Sequence, residues 1–507
     1  MEENEYIKSI FDEHERAVGY KSSMGESGLY EQARLNEKYY RGDQQQGVRL
    51  SSLNGGALRH NIVRRIGDYK RAVIMNEPTD LRFEAAGIAV NDDIKKAANR
   101  LKNMLCSKKI TDTVGNAYPD ELVNKALALN VTSQLYKSQA EKCRLDLLLS
   151  DALKNAYISG SCVVYTYWDS TVNTGFYADE LKRTPILGDI KAAVIDVADI
   201  DFGDCTQTDI NRQPYIIIAE KMSVKAAREE AEKYGADADR LYDIQADFDE
   251  YDSDKCTVLT KLFFAENEQG TRTVHAVRVC KYAVIRPEWD MRIRRYPISV
   301  FRWDEQNNCA YGNSEMDFLI PNQNAINRLL NAAVSAALLN SMPIMLVNGD
   351  VIKSKISNRP GQIVKFSGDC DDFDKAIKYV EPPQFSENYN KALSQLIDDT
   401  LDLAGASRAA LGVYEMNNAT AIKNLQMANS LSLKPLINRY KYFVCDIAAV
   451  FAEFFACCYG ERKVVVDGGD GDYVFPFDGS LLYNMQLSVS IDDDKVNADI
   501  EDTEAEK

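Results

Sequence analysis

Asp398, Asp399 and Asp402 are the nearest thing to a reaction centre in this sequence. Clustered carboxylates can hold two divalent cations that stabilise both oxygens of a displacement, so a metal-dependent or ligand-binding enzyme is one reading. The plainer reading is the solvated face of a helix. A second acidic cluster, Asp467-Gly468-Gly469-Asp470-Gly471-Asp472, has the composition of a calcium loop but lacks the alternating ligands and closing glutamate of an EF-hand. The histidines are His14, His60 and His275. None stands at metal-ligand spacing from a cysteine or carboxylate, and each reads as a surface or strand-end residue. Neither a Gly-x-Ser-x-Gly elbow nor a phosphate-cradling P-loop occurs, and no cofactor is implied.

Two other stretches have side chains suited to binding. In 344–381 the charges are sorted: Lys353, Lys355, Arg359 and Lys365 precede Asp369, Asp371, Asp372 and Asp374. Sorted charge suits solvated loops, or the basic edge of one copy meeting the acidic edge of the next in a ring. Residues 405–420 carry Ser407, Arg408, Tyr414, Glu415, Met416, Asn417 and Asn418, with Gly412 as a hinge. At about sixteen residues this loop is longer than most helix connections, and its polarity suits exposure. Arg408 is its only cation, placed to touch phosphate or to form a structural salt bridge.

Long helices must position both stretches. Ser314 can cap a first turn and Pro321 can restart a helix, after which Ile326, Leu330, Ala333 and Ala337 recur at helical spacing until Pro343. A second helix follows Pro382, Pro383 and Ser386, with Tyr389, Leu393, Leu396, Thr400 and Leu403 as its stripe and Gly405 as its stop. The two read as an antiparallel pair of nearly equal length around a small insert with strands at 344–347 and 362–366. A third helix runs over 421–460 with Pro435 inside it, where a kink is expected. Its stripe is Leu436, Tyr440, Phe443, Ile447, Phe451, Phe454 and Cys458, the pattern of a core-facing helix.

The rest reads as α+β. Helical periods cover 2–45, 61–76 and 120–156, with a further exposed helix at 91–100. Strands are expected after 157, at 185–201 and 214–219, as a hairpin of 257–264 with 273–285, as a hairpin over 463–477, and at 487–491. A charged helix covers 223–234, and the acidic tail from Asp492 is expected to be mobile.

The ordered set of segments resembles the portal (head-to-tail connector) proteins of tailed bacteriophages. The residues are Tyr39-Tyr40-Arg41-Gly42-Asp43-Gln44 with Asn61-Ile62, the helix–glycine–strand element over 151–168, Tyr296-Pro297-Ile298, Tyr311-Gly312-Asn313-Ser314, and Pro321-Asn322-Gln323-Asn324-Ala325-Ile326-Asn327-Arg328. Arg359-Pro360-Gly361-Gln362, Glu381-Pro382-Pro383-Gln384, 403–412 and Asn418-Ala419-Thr420-Ala421-Ile422 continue it. The glycine of the family's Ser-Gly-X-Ala is absent from the last. The resemblance implies a wing domain over 1–312, a first stem helix at 313–342, a clip at 343–383, a second stem helix at 384–404, a tunnel loop at 405–420, a kinked wing helix at 421–460, and wing strands with a short tail to 507. It further implies a ring of about twelve copies at one capsid vertex of the virion, assembled in the host cytoplasm. Double-stranded DNA would pass through this ring non-specifically. The implied partners are the terminase large subunit and head-tail adaptor at the clip, and the major capsid and scaffolding proteins.

Composition sets bounds of its own. With 45% hydrophobic and 27% charged residues the chain can bury a core and is not of a disordered class. No apolar run of about 20 residues occurs, Glu453 interrupts 448–458, and no membrane is implied. The amino terminus is acidic and polar, unlike a signal or transit peptide. The 11 cysteines form no C-x-x-C pair and read as reduced, buried small residues of a protein made in a reducing cytosol. A net charge of −17 argues against tight phosphate binding. It suits either solubility or a channel wall that repels DNA over a Debye length of roughly 8–10 Å.

Overall fold

The computed structural model describes residues 2–44, 58–85, 120–177, 185–247, 254–267, 270–341, 344–347, 352, 377–380, 387–408, 419–460, 462–467, 472–477, 479–483, 485 and 487–491. The protein is α+β and divides into two compact units. One comprises Met1–Glu37, Gly67–Asp317 and Ser430–Lys507; the other comprises Lys38–Ile66 and Phe318–Asn429.

The first unit holds two larger antiparallel sheets, of three and five strands, besides two-stranded pairs. Strand Ser161–Tyr177 pairs on one side with Pro185–Asp196 and on the other with Ile298–Arg302. In this register Tyr165 lies between Ala193 and Ile298, and the period of two puts Tyr165 and Tyr167 on one face, where their rings stack 5.4 Å apart. The second sheet is a meander of Ile200–Phe202, Tyr215–Ser223, Lys255–Glu266, Arg272–Val279 and Val284–Asp290. Helix Glu2–Ser23 buries Ile7 and Ile10 against Ile217, Leu259 and Val277 on one face of the meander. Helix Val224–Lys233, capped by Ser223 accepting from the Ala226 amide, buries Val224, Ala227 and Ala231 against Cys256, Val258 and Ile285.

Helix Ala419–Cys458 encloses Pro435, and the expected stripe is buried from Leu436 to Phe454. Several expected elements divide. The 2–45 stretch is two helices, Glu2–Ser23 and Gly28–Arg41, separated where Gly25 and Gly28 take positive φ. The 120–156 stretch breaks between Asp120–Lys142 and Leu145–Ser159, with Arg144 in the left-handed region at φ 51°. The strand read at 273–285 is two strands, because Cys280 and Ala283 close a turn with a 2.9 Å hydrogen bond. Strand Leu81–Ala85, which local pattern did not reveal, pairs with Leu487–Ile491. The helix read at 91–100, the strand read at 362–366 and the tail from Asp492 lie outside the described residues.

In the second unit, strands Ile344–Val347 and Ile377–Val380 pair antiparallel between the helices Met316–Ser341 and Glu387–Leu403. The helices are unequal, at 26 and 17 residues, against the equal pair expected. Pro321 does not restart the first helix but lies inside it. So near the amino terminus its missing N–H forfeits only the bond to the Asp317 carbonyl. The second helix ends at Gly405, φ +64°, as expected. Its stripe differs: Thr400 and Leu401 are buried, whereas Leu403 is 80% exposed.

Candidate functional site

The family-like segments of the second unit meet in one polar seam. Gln323, Asn327 and Asn331 recur every four residues on the helix Met316–Ser341 and are 1%, 2% and 4% exposed. Each clips its amide onto another segment. Gln323 Oε1 accepts from the amides of Ile62 (2.9 Å) and Val63 (3.3 Å), two of the orphan donors that open the helix Ile62–Met75. Gln323 Nε2 donates to the His60 carbonyl at 2.7 Å. Asn327 accepts from the His60 amide and donates to Gln44 Oε1, at 3.1 and 2.7 Å. Asn331 exchanges both backbone hydrogen bonds with Leu58, each at 2.9 Å. Gln44 and Asn61 in turn donate to the Tyr39 carbonyl, and the Tyr39 hydroxyl donates to Asn324. A buried amide left unpaired costs about 1–3 kcal/mol, so this seam fixes the register of residues 39–44 and 58–63 on the helix.

In the first unit, the residues leading into the same helix are bound just as tightly. Gly160, φ +84°, ends Leu145–Ser159 against the backbone of Gly312, where a Cβ on Gly312 would sit 2.6 Å from the Gly160 carbonyl oxygen. The Ser314 hydroxyl donates to the Tyr157 carbonyl at 2.6 Å and accepts from the Met316 amide at 3.1 Å. Glu315 receives Lys70 Nζ at 2.6 Å and the Trp303 indole at 3.0 Å. Asp317, three residues after Ser314, stands where a capping box would place its reciprocal partner. Its carboxylate instead accepts from Gln32 and Asn36, each at 2.8 Å.

Burial pushes the Asp317 carboxyl above the usual carboxylate range, against the opposing pull of Asn36 and Gln32. The folded state therefore holds this proton more tightly than the unfolded chain, and stability falls as pH rises from the ordinary aspartate value through the raised one. Asp317→Asn keeps the accepting oxygen and removes that titration. Melting curves between pH 4 and 7 should show the variant gaining on the parent as pH rises and lying within about 1 kcal/mol of it at pH 7. A difference that does not change with pH would contradict this.

His14 is not a free surface residue. Its Nδ1 lies 2.6 Å from Asp201 Oδ2, and Lys21 Nζ lies 2.8 Å from Asp201 Oδ1 and donates to the Ala198 carbonyl at 2.7 Å. Lys21 and Asp201 are 0% and 1% exposed, and the ammonium is also 5.6 Å from the Tyr30 ring centroid and 5.8 Å from that of Tyr311. Desolvation lowers the Lys21 pKa, and Asp201 opposes that shift.

Of the residues read as a tunnel loop, Ser407 is half-buried and Arg408 is exposed; Tyr414, Glu415, Met416, Asn417 and Asn418 lie outside the described residues. Arg408 takes the salt-bridge role, its guanidinium pairing with Asp398. That pair engages the first carboxylate of the supposed metal cluster, while Asp399 and Asp402 are exposed. Among the described residues no three His, Cys, Asp or Glu side chains gather as a metal site. Lys353, Lys355, Arg359, Lys365, Asp369, Asp371 and Asp372 lie outside the described residues, as does the turn at 468–471.

The amide seam was missed as a site in its own right. Its signal was present, since polar amides at i, i+4 and i+8 interrupt an otherwise apolar helix. Nothing local says which distant backbone they serve. No protein-family model matches the chain, and no curated protein matches it.

Proposed function

We propose that this chain is the subunit of a portal ring, a structural conduit at one capsid vertex through which a separate motor drives DNA. The observation that carries the reading is the seam. Segments 39–44, 61–62 and 323–328, each similar to a portal segment and widely separated in sequence, are joined by direct hydrogen bonds through Gln323, Asn327 and Gln44. The helix–strand–strand–helix order around Ile344–Val347 and Ile377–Val380 supports a stem carrying a clip, and the net charge of −17 suits a wall that DNA slides past. In this reading terminase and the head-tail adaptor dock on 353–372, and the loop bearing Arg408 faces the channel. Arg408 itself is tied back to Asp398.

The test is the native mass and negative-stain image of the purified chain. The expected result is a closed ring of about twelve copies with a central hole. A monomer that hydrolyses a substrate only with added divalent metal would overturn the reading in favour of an enzyme.

A further inference from the structure

Between the two sheets of the first unit lies a cleft of about 1400 Å³, lined by Tyr165, Tyr167, Tyr234, Arg278, Arg286 and Trp289 among others. Its volume exceeds the roughly 300–1000 Å³ of small-molecule pockets, so an extended chain fits it better than a metabolite. Two strands present open edges to it. Strand Pro185–Asp196 pairs only with Ser161–Tyr177 among the described residues, and consecutive residues Ala193 to Asp196 line the cleft. Gln139 closes this edge at one end by donating to the Ile190 carbonyl at 2.7 Å. By the alternation of antiparallel strands, the outward-facing backbone groups beyond Ile190 are those of Ala192 and Val194. Strand Tyr215–Ser223 is flanked by Ile200–Phe202 only as far as Ile218, and Ala219, Glu220 and Lys221 line the cleft past that point.

The cleft carries charge of both signs, with Asp196, Asp199, Glu220 and Glu230 lining it beside Arg278 and Arg286. Arg278 is ion-paired, with Glu220 at 3.0 Å and Glu230 at 3.2 Å. Arg286 is not: its guanidinium lies 3.6 Å from the Trp289 ring centroid and 4.3 Å from that of Tyr234, and no carboxylate pairs with it among the described residues. An arginine held against two aromatic rings can still offer its N–H donors to a ligand, and its planar fork grips a carboxylate with two parallel hydrogen bonds. Burial lowers its pKa, against the opposing pull of Tyr234 and Glu230. Both arginines act electrostatically on Tyr165, whose register neighbour is Ala193, a side chain too small to fill the space between.

We propose that this cleft docks an extended segment of a partner polypeptide that carries one carboxylate. The segment adds as a strand beside Val194, and a glutamate or aspartate on the face it shares with Ala193 and Tyr165 engages Arg286. A strand added at the edge runs about 4.8 Å from Ala193, and its side chains on that face share it with Tyr165, on which Arg286 acts electrostatically. The proposal does not depend on the ring reading.

The probe is a fluorescein-labelled peptide of alternating valine and threonine with a central glutamate, titrated by anisotropy into the full chain. Two controls carry glutamine at the centre or proline at the pairing positions. The expected result is binding of the glutamate peptide about tenfold tighter than the glutamine peptide, with little binding of the proline peptide. Arg286→Gln should erase the tenfold difference, and Arg286→Lys, which keeps charge but not the fork, should leave only part of it. The peptide comparison on the parent chain stands even if a variant fails to fold. No binding at millimolar peptide, equal binding of the glutamate and glutamine peptides, or tight binding of the proline peptide would overturn the proposal. So would binding that only tracks the dissolution of an oligomer, which would assign the edge to contacts between copies of this chain.

Discussion

Asp201→Ala is expected to cost about 3–5 kcal/mol at pH 7, because it leaves the Lys21 ammonium buried without its counter-charge. The geometry makes the loss hard to evade. Lys21 Nζ sits 2.8 Å from Asp201, and both side chains are sealed from water. Its remaining contacts are the Ala198 carbonyl and the faces of Tyr30 and Tyr311, which favour a cation but do not neutralise it. The variant can escape by deprotonating the lysine. For an amine of ordinary pKa near 10.4, that costs about 4–5 kcal/mol at pH 7, close to the cost of the unpaired charge itself. The escape becomes cheaper as pH rises, which fixes the sign of a second effect. A lysine whose folded pKa is depressed binds fewer protons folded than unfolded, so stability rises with pH above that pKa. Losing Asp201 removes the largest of the influences that raise the Lys21 pKa, leaving Asp199, and depresses it further. The deficit of Asp201→Ala relative to the parent should therefore shrink between pH 7 and 10. Lys21→Met together with Asp201→Leu removes both charges and should cost less than the single alanine substitution, as for other buried pairs replaced by apolar groups. Denaturant midpoints for the parent, the single and the double variant, each at two pH values, measure all three expectations. A deficit constant with pH would mean that Lys21 reaches water when Asp201 is gone.

How much of this was legible in the sequence depends on the range over which each feature is encoded. The stripe from Leu436 to Phe454 was readable because its period lies within one helix, and those residues are buried as the period required. The strands at Ile344–Val347, Arg462–Asp467 and Asp472–Phe477 were readable for the same reason, β-formers bounded by turn residues. The breaks at Arg144 and at Cys280–Ala283 were not, since neither has the glycine or proline that usually marks one. The stripe of Glu387–Leu403 was half right. Thr400 faces inward as expected, but Leu401 takes the buried place assigned to Leu403, a shift no single-helix pattern decides. What stayed hidden is what long-range pairing alone creates: Leu81–Ala85 against Leu487–Ile491, His14 and Lys21 on Asp201, and the open strand edges beside Arg286. The amides Gln323, Asn327 and Asn331 stood in the sequence at i, i+4 and i+8 with nothing local to say what they bind. The structure supplies the reason those residues are amides: each must satisfy a specific backbone group on another segment.

Gln323→Leu with Asn327→Leu is the second substitution expected to act strongly, and it separates the seam from the rest of the fold. The pair takes the Gln323 acceptor from the amides of Ile62 and Val63, the Asn327 acceptor from the His60 amide, and a donor each from the His60 carbonyl and Gln44 Oε1, while the Ile62 amide and the His60 carbonyl keep their 2.9 Å bond to each other. At about 1–3 kcal/mol for each buried group left unpaired, the loss exceeds the roughly 2–4 kcal/mol that two partly packed leucines return. A net cost of about 3 kcal/mol or more is expected. It should be local, because every stranded group lies in residues 38–66 or on the helix facing them, within one compact unit. Hydrogen exchange should accelerate most at Ile62 and Val63, which lose the Gln323 acceptor, while Ile217, Leu259 and Val277 in the meander keep their protection. Gln323→Glu is the informative control. It keeps the accepting oxygen for Ile62 and Val63 but replaces a donor to the His60 carbonyl with an acceptor, and buries a charge 1% exposed. It should therefore destabilise at pH 7 and recover as pH falls and the carboxyl takes up a proton that can donate to His60. If exchange at Ile62 and Val63 stays slow in the double leucine variant, the seam is not what holds segment 58–63 to the helix, and the proposed portal reading loses the observation that carries it.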